Sequence, residues 1–156
     1  MFCGVLSAAG ETAASEQATV RVSGKVERPI IVSEAVLQTL PRKRLAVTDE
    51  KGAQVTYEGV PVVELLQRAG APLGKQLKGV AMRLFVVVEA SDGYQAVFAL
   101  PEFDPDFTDR VIIMADRKNG KAMLSPEGPF RLIVEGEKRH ARWVREATAL
   151  DVEQAQ

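Results

Sequence analysis

Apolar and polar positions alternate over Thr19–Gly24, the pattern of a half-buried strand, and Pro29 ends regular pairing after it. Ser33 is suited to cap a short helix with Glu34 in its first turn. Val36, Leu37 and Leu40 supply that helix's apolar face, and Pro41 stops it. Leu45–Thr48 and Ala53–Tyr57 read as two strands joined by Asp49-Glu50-Lys51-Gly52, where glycine can take positive φ. Glu58-Gly59-Val60-Pro61 reads as a turn into a second helix. Val62, Val63, Leu65, Leu66 and Ala69 share one face of that helix, and Gly70 sits where a terminating glycine belongs.

Ala81–Ala90 predicts a central strand, since Phe85-Val86-Val87-Val88 is apolar on both faces. Ser91-Asp92-Gly93 turns the chain into a partner strand, Tyr94–Leu100. Further strands are expected at Val111–Ala115, Phe130–Val134 and Ala147–Val152, with turns at Asn119-Gly120 and Gly136. Strands outnumber helices and do not alternate with them. The expected class is therefore α+β, with a mainly antiparallel or mixed β-sheet and two or three short helices.

A chain of 156 residues can bury a substantial core as one domain. Twenty basic and twenty-one acidic side chains nearly cancel, which argues against a nucleic-acid partner. The single cysteine, Cys3, excludes an internal disulfide and a multi-cysteine metal site. The single histidine, His140, excludes a histidine-rich one. No apolar run approaches the ~20 residues of a membrane span, so an integral membrane protein is not expected.

Residues 1–18 are small and polar apart from Phe2–Leu6, and Ser7-Ala8-Ala9 has the form of a signal-peptidase site. They read as a flexible tail or the remnant of an export signal, which makes the expected location periplasmic or exported, otherwise cytoplasmic. The domain is expected over 19–152, with a tail at 153–156.

Candidate chemistry is sparse, and no catalytic residue or metal ligand is assigned. Pro101–Asp109 concentrates carboxylates, but at a spacing that suits a solvated loop rather than a calcium loop. Gly128–Val144 is the unusual segment. Arg131, Lys138, Arg139 and Arg142, with Arg145 just beyond, gather positive charge beside Trp143. Guanidinium and ammonium groups there suit a phosphate; equally, they suit a solvated strand edge. Asp92-Gly93-Tyr94 offers an acceptor and a phenol at a pocket mouth, or simply a hairpin turn and a core tyrosine.

The order of motifs resembles the molybdopterin-binding oxidoreductase domain of the sulfite oxidase superfamily. It is carried by Tyr57-Glu58-Gly59-Val60-Pro61-Val62 and the Leu65–Gly70 helix, by Ala90-Ser91-Asp92-Gly93-Tyr94, and by Asn119-Gly120. Gly128-Pro129-Phe130-Arg131-Leu132-Ile133-Val134 and Lys138-Arg139-His140-Ala141-Arg142-Trp143-Val144 complete it. The resemblance covers roughly 19–152 and implies a sulfite-oxidase-like fold around molybdopterin or a related pterin. It assigns Asp92, Gly93, Tyr94, Arg131, Lys138, Arg139, Arg142 and Trp143 to cofactor binding.

In that family a cysteine thiolate completes the metal's coordination. The corresponding segment here, Leu45–Tyr57, has no cysteine, histidine or methionine, and Glu127 stands near the family's histidine. Protein-ligated molybdenum is therefore not expected. Three readings follow: a module binding a pterin or another small anionic, phosphate-bearing ligand; an enzyme whose metal is held by the cofactor alone; or an interaction domain with a vestigial pocket and a protein partner.

Overall fold

The computed structural model describes residues 18–156. The expected tail or export remnant, Cys3 included, lies outside the described residues except for Ala18. Two five-stranded sheets share one continuous apolar core. The class is α+β, as expected.

The first sheet is built from β1 (Thr19–Gly24), β2 (Ile30–Ser33), β5 (Leu84–Ala90), β6 (Gln95–Ala99) and β10 (Ala147–Gln154), in the order β2-β1-β10-β5-β6. Only the β1–β10 pair is parallel. In β1, Val20 and Val22 are fully buried and alternate with outward Thr19, Arg21 and Ser23, so the strand's period of two sorts its side chains. The β5 side chains alternate in the same way, rather than being buried on both faces as the apolar run suggested. β2 was not expected: four residues immediately after Pro29 form an edge strand, with Val32 buried and Ile30 packed against the core beside it. β10 runs to Gln154, two residues past the expected end of the domain.

The second sheet contains β3 (Lys43–Thr48), β4 (Gln54–Pro61), β7 (Ile112–Lys118), β8 (Lys121–Ala122) and β9 (Arg131–Val134). The order is β3-β4-β7-β8, and β9 pairs antiparallel with β7. The Asp49 carboxylate closes the β3–β4 turn by accepting from Lys51 N and Ala53 N. Glu58–Pro61 is not a turn. It continues β4 against β7 through a register shift at Gly59, where a Cβ would collide with the Met114 carbonyl oxygen. Glycine permits that approach, and Pro61 is tolerated because it ends the strand.

Helix α1 (Glu34–Leu37) is capped as expected, Ser33 Oγ accepting from Val36 N at 3.3 Å. Leu37 and Leu40 enter the core, but Val36 is exposed. Helix α2 (Val62–Arg68) buries Val62, Leu65 and Leu66, each worth about 2 kcal/mol. Gly70, at φ +77°, ends it: Gly70 N donates to Gln67 O, and Ala71 N to Leu66 O. Leu100–Phe103 and His140–Arg142 form single 3₁₀ turns beside β6 and β9.

Candidate functional site

β9 belongs to a sheet covered on both faces, so all four of its side chains are buried, including Arg131. A buried guanidinium requires partners. Arg131 Nη1 donates to Glu127 Oε1 at 2.6 Å and to the Tyr57 hydroxyl at 3.0 Å. Tyr57 in turn donates to Glu127 Oε1 at 2.8 Å, and Lys118 Nζ reaches Glu127 Oε2 at 3.2 Å. Two cations thus share one carboxylate. The Tyr57 and Trp143 rings meet edge to face at 6.3 Å, and the Arg131 guanidinium lies 5.8 Å and 5.7 Å from their centres.

Titration follows from this packing. Burial, reinforced by the hydrogen bond to Glu127, pushes the Tyr57 phenol up to about 12. Burial also works to raise Glu127. Hydrogen bonds from Tyr57, Arg131 and Lys118 outweigh it and hold that carboxyl below the ordinary glutamate range.

Above Arg131 opens a cleft of about 290 Å³, walled by Glu50, Asp92, Tyr94, Arg131, His140, Ala141, Trp143 and Arg145. It lies where the β3–β4 turn, the β5–β6 turn and the 140–145 segment meet. His140 stacks on Trp143 with ring centres 3.5 Å apart, and its Nδ1 is 4.0 Å from Glu50 Oε1. Tyr94 donates its hydroxyl to the Ala141 carbonyl, tying the 140–142 turn to the β5–β6 turn. Two buried donors in the cleft walls have no protein acceptor, Arg131 Nε–H and Trp143 Nε1–H. Leaving such a group unmet costs about 1–3 kcal/mol.

The residues expected to bind a cofactor therefore separate. Asp92, Tyr94, Arg131 and Trp143 meet in the cleft. Gly93 takes φ +87° and shapes the turn, where Asp92 Oδ1 accepts from Tyr94 N. Tyr94 is 48% exposed, so it is not a core tyrosine. Lys138 and Arg139 are exposed, and Lys138 lines a neighbouring groove with Glu135 and Glu137.

Arg142 does not line the cleft. Its Nε donates to Glu137 Oε1 at 3.0 Å, its Nη2 to Glu102 Oε1 at 3.2 Å, and its Nη1 to the Val97 carbonyl on the edge of β6. The guanidinium carbon lies 4.2 Å from the Phe98 ring centre. Burial works to lower its pKa, but the hydrogen bonds to Glu137 and Glu102 raise it on balance.

Sequence reasoning missed Glu50, His140 and Ala141 as cleft residues, and Tyr57, Lys118 and Glu127 beneath it. Tyr57, His140 and Ala141 lay within the matching motifs and Glu127 near the family's histidine, while Glu50 and Lys118 carried no signal.

The donor set can be tested against the cofactor that the motif resemblance implies. The two unmatched N–H donors and the spare cation beneath them fit the oxygen atoms of a pterin or phosphate. The residues do not fit a protein–molybdenum bond. No thiolate is present among the described residues, and no group of three His, Cys, Asp or Glu side chains is gathered there.

No family model matches the chain, and no curated protein does. Solved structures with its fold include the crystal structure of the sulfane dehydrogenase SoxCD from Paracoccus pantotrophus. That match has a TM-score of 0.67 at 19% identity, over 86% of this chain and 38% of that one. The chain thus spans well under half of its structural neighbour, and the likeness establishes the fold: α+β and sulfite-oxidase-like.

Proposed function

We propose that the chain is a binding module for a small phosphate-bearing ligand, a pterin or a related anion, held in the cleft above Arg131, without sulfite-oxidase-type redox catalysis. The observation that carries this reading is the pair of buried, unpartnered donors, Arg131 Nε–H and Trp143 Nε1–H. An anionic ligand reaching either group would supply its missing acceptor, and the excess cation in the Arg131–Lys118–Glu127 cluster would favour its charge. A volume of about 290 Å³ sits at the lower end of ligand-sized pockets, enough for a phosphate with a small ring system. The resemblance of its motifs to the molybdopterin-binding oxidoreductase domain makes the pterin the ligand class to try first.

Trp143 is the chain's only tryptophan, so its fluorescence reports on the cleft. Titration with a pterin monophosphate, and separately with inorganic phosphate, should change that emission saturably. Calorimetry should give the same affinity. Arg131→Lys keeps the charge but loses the Nε–H and the planar fork, and should weaken binding about tenfold. Absence of saturable binding to either ligand would remove the proposal.

A further inference from the structure

The outward face of the first sheet presents an ordered surface unrelated to the cleft. Cross-strand register places Phe85 beside Ala99 and Val87 beside Val97 on one side of the sheet. On the same side, β10 sets Asp151 beside Val87 and Glu153 beside Phe85, while Glu89 pairs with Gln95. An apolar strip of Phe85, Val87, Val97 and Ala99 is therefore bordered by Glu89, Asp151 and Glu153. Val97 is 53% exposed, and Ala99 and Gln95 are exposed with it.

None of the three carboxylates forms an ion pair among the described residues. Lys25 and Arg83 stand near Asp151 and Glu153 at the strand ends without pairing. The neighbouring Asp151 carboxylate raises the pKa of Glu153, as expected of two carboxylates crowded together.

We propose that this face docks a partner protein presenting aliphatic side chains rimmed by lysine or arginine. Charge complementarity identifies the occupant. A second copy would bring the same three carboxylates, with Arg21 on the face and Lys25 and Arg83 only at the strand ends to answer them. Residues 1–17 of the chain carry Glu11 and Glu16 and neither lysine nor arginine. An anionic bilayer would be repelled. The partner packs on the face rather than adding a strand. Arg142 already occupies the Val97 carbonyl at the edge of β6, and Glu102 accepts from Ala99 N.

The test uses the full chain and two synthetic helical probes. One carries leucine along a face flanked by lysine; the other has glutamate for lysine. Amide shifts followed by NMR should move for the lysine probe, confined to β5, β6 and β10. The glutamate probe should bind at least about tenfold more weakly, as should the lysine probe to the Glu89→Lys, Glu153→Lys double variant. Val97→Glu, at an exposed position, should keep its melting temperature while losing the apolar contact. In extracts of the native host, carbodiimide should join these carboxylates to lysines of one protein, and the double variant should abolish those links. Four results would overturn the proposal: equal response to both probes, shifts elsewhere, no response and no such links, or self-association through this face.

Discussion

Arg131 and Arg142 lie eleven residues apart in one basic segment, yet they face opposite charge balances. Arg131 is 8% exposed and shares Glu127 with Lys118, two cations to one carboxylate. Arg142 is 30% exposed and lies between Glu102 and Glu137, one cation to two carboxylates. The first cluster keeps a donor unmet, Arg131 Nε; the second keeps an acceptor unmet, Glu137 Oε2. A local excess of basic residues therefore says little about anion binding. What decides is whether the side chains facing each cation already neutralise it.

The sharpest way to break this contrast is to delete each guanidinium. Arg131→Ala leaves Glu127 and the Tyr57 hydroxyl buried without their main partner and should cost about 3–5 kcal/mol in urea unfolding. Arg142→Ala should cost less, about 1–2 kcal/mol, because Arg142 and Glu102 are each about a third exposed while Glu137 is more buried. It should also leave ligand binding in the cleft intact. Equal losses of stability, or a binding defect in Arg142→Ala alone, would reverse the assignment.

Trp143→Phe probes the unmet donor with less disturbance. A six-membered ring remains to pack on Tyr57 and His140, while the indole N–H and part of the buried ring volume are lost. Phosphate-ligand affinity should fall about tenfold by calorimetry, while stability should change by only about 1 kcal/mol, since relief of the unmet donor offsets part of the cost of the smaller buried ring. A variant that binds as tightly as the parent would show that Nε1–H is no part of the ligand site.

The local features of this chain were readable in advance, and the distant pairings were not. The β1 alternation, the Ser33 cap, the Asp49–Gly52 turn and the Gly70 stop each rest on residues within one turn or strand. Glu58–Pro61 misled because Gly-Val-Pro looks like a turn, while its role, a close approach to Met114, comes from a strand more than fifty residues away. The site followed the same rule. Cation density marked the right segment, but β9 is buried on both faces, so no alternation showed that Arg131 points inward. Nor could spacing bring Tyr57 to Glu127, seventy positions apart.

Glu127 makes the contrast depend on pH. Its folded pKa lies below the ordinary value of about 4.5. The folded state thus binds its proton less readily than the unfolded chain does. The stability this contributes is fully present above pH 4.5 and is lost as pH falls through the lower folded value. Urea unfolding at descending pH should show that loss in the parent and a flatter profile in Glu127→Gln. Identical slopes would mean that the carboxylate is not held by its three donors.

The finest test moves one proton and leaves the packing untouched. Tyr94→Phe leaves Tyr57 as the only tyrosine, so ultraviolet titration reads a single phenol. It should ionise near pH 12, because burial and the bond to Glu127 outweigh the pull of Arg131. Between pH 10 and 12 the unfolded chain gives up this proton while the folded one keeps it, so this part of the stability declines as pH rises through that window. Adding Glu127→Gln removes the carboxylate that favours the neutral phenol but leaves Arg131, and the midpoint should move down. A midpoint unmoved by that change would mean that Glu127 does not face the phenol. The Arg131 cluster would then lose its shared acceptor, and the difference from the Arg142 cluster would have to rest on burial alone.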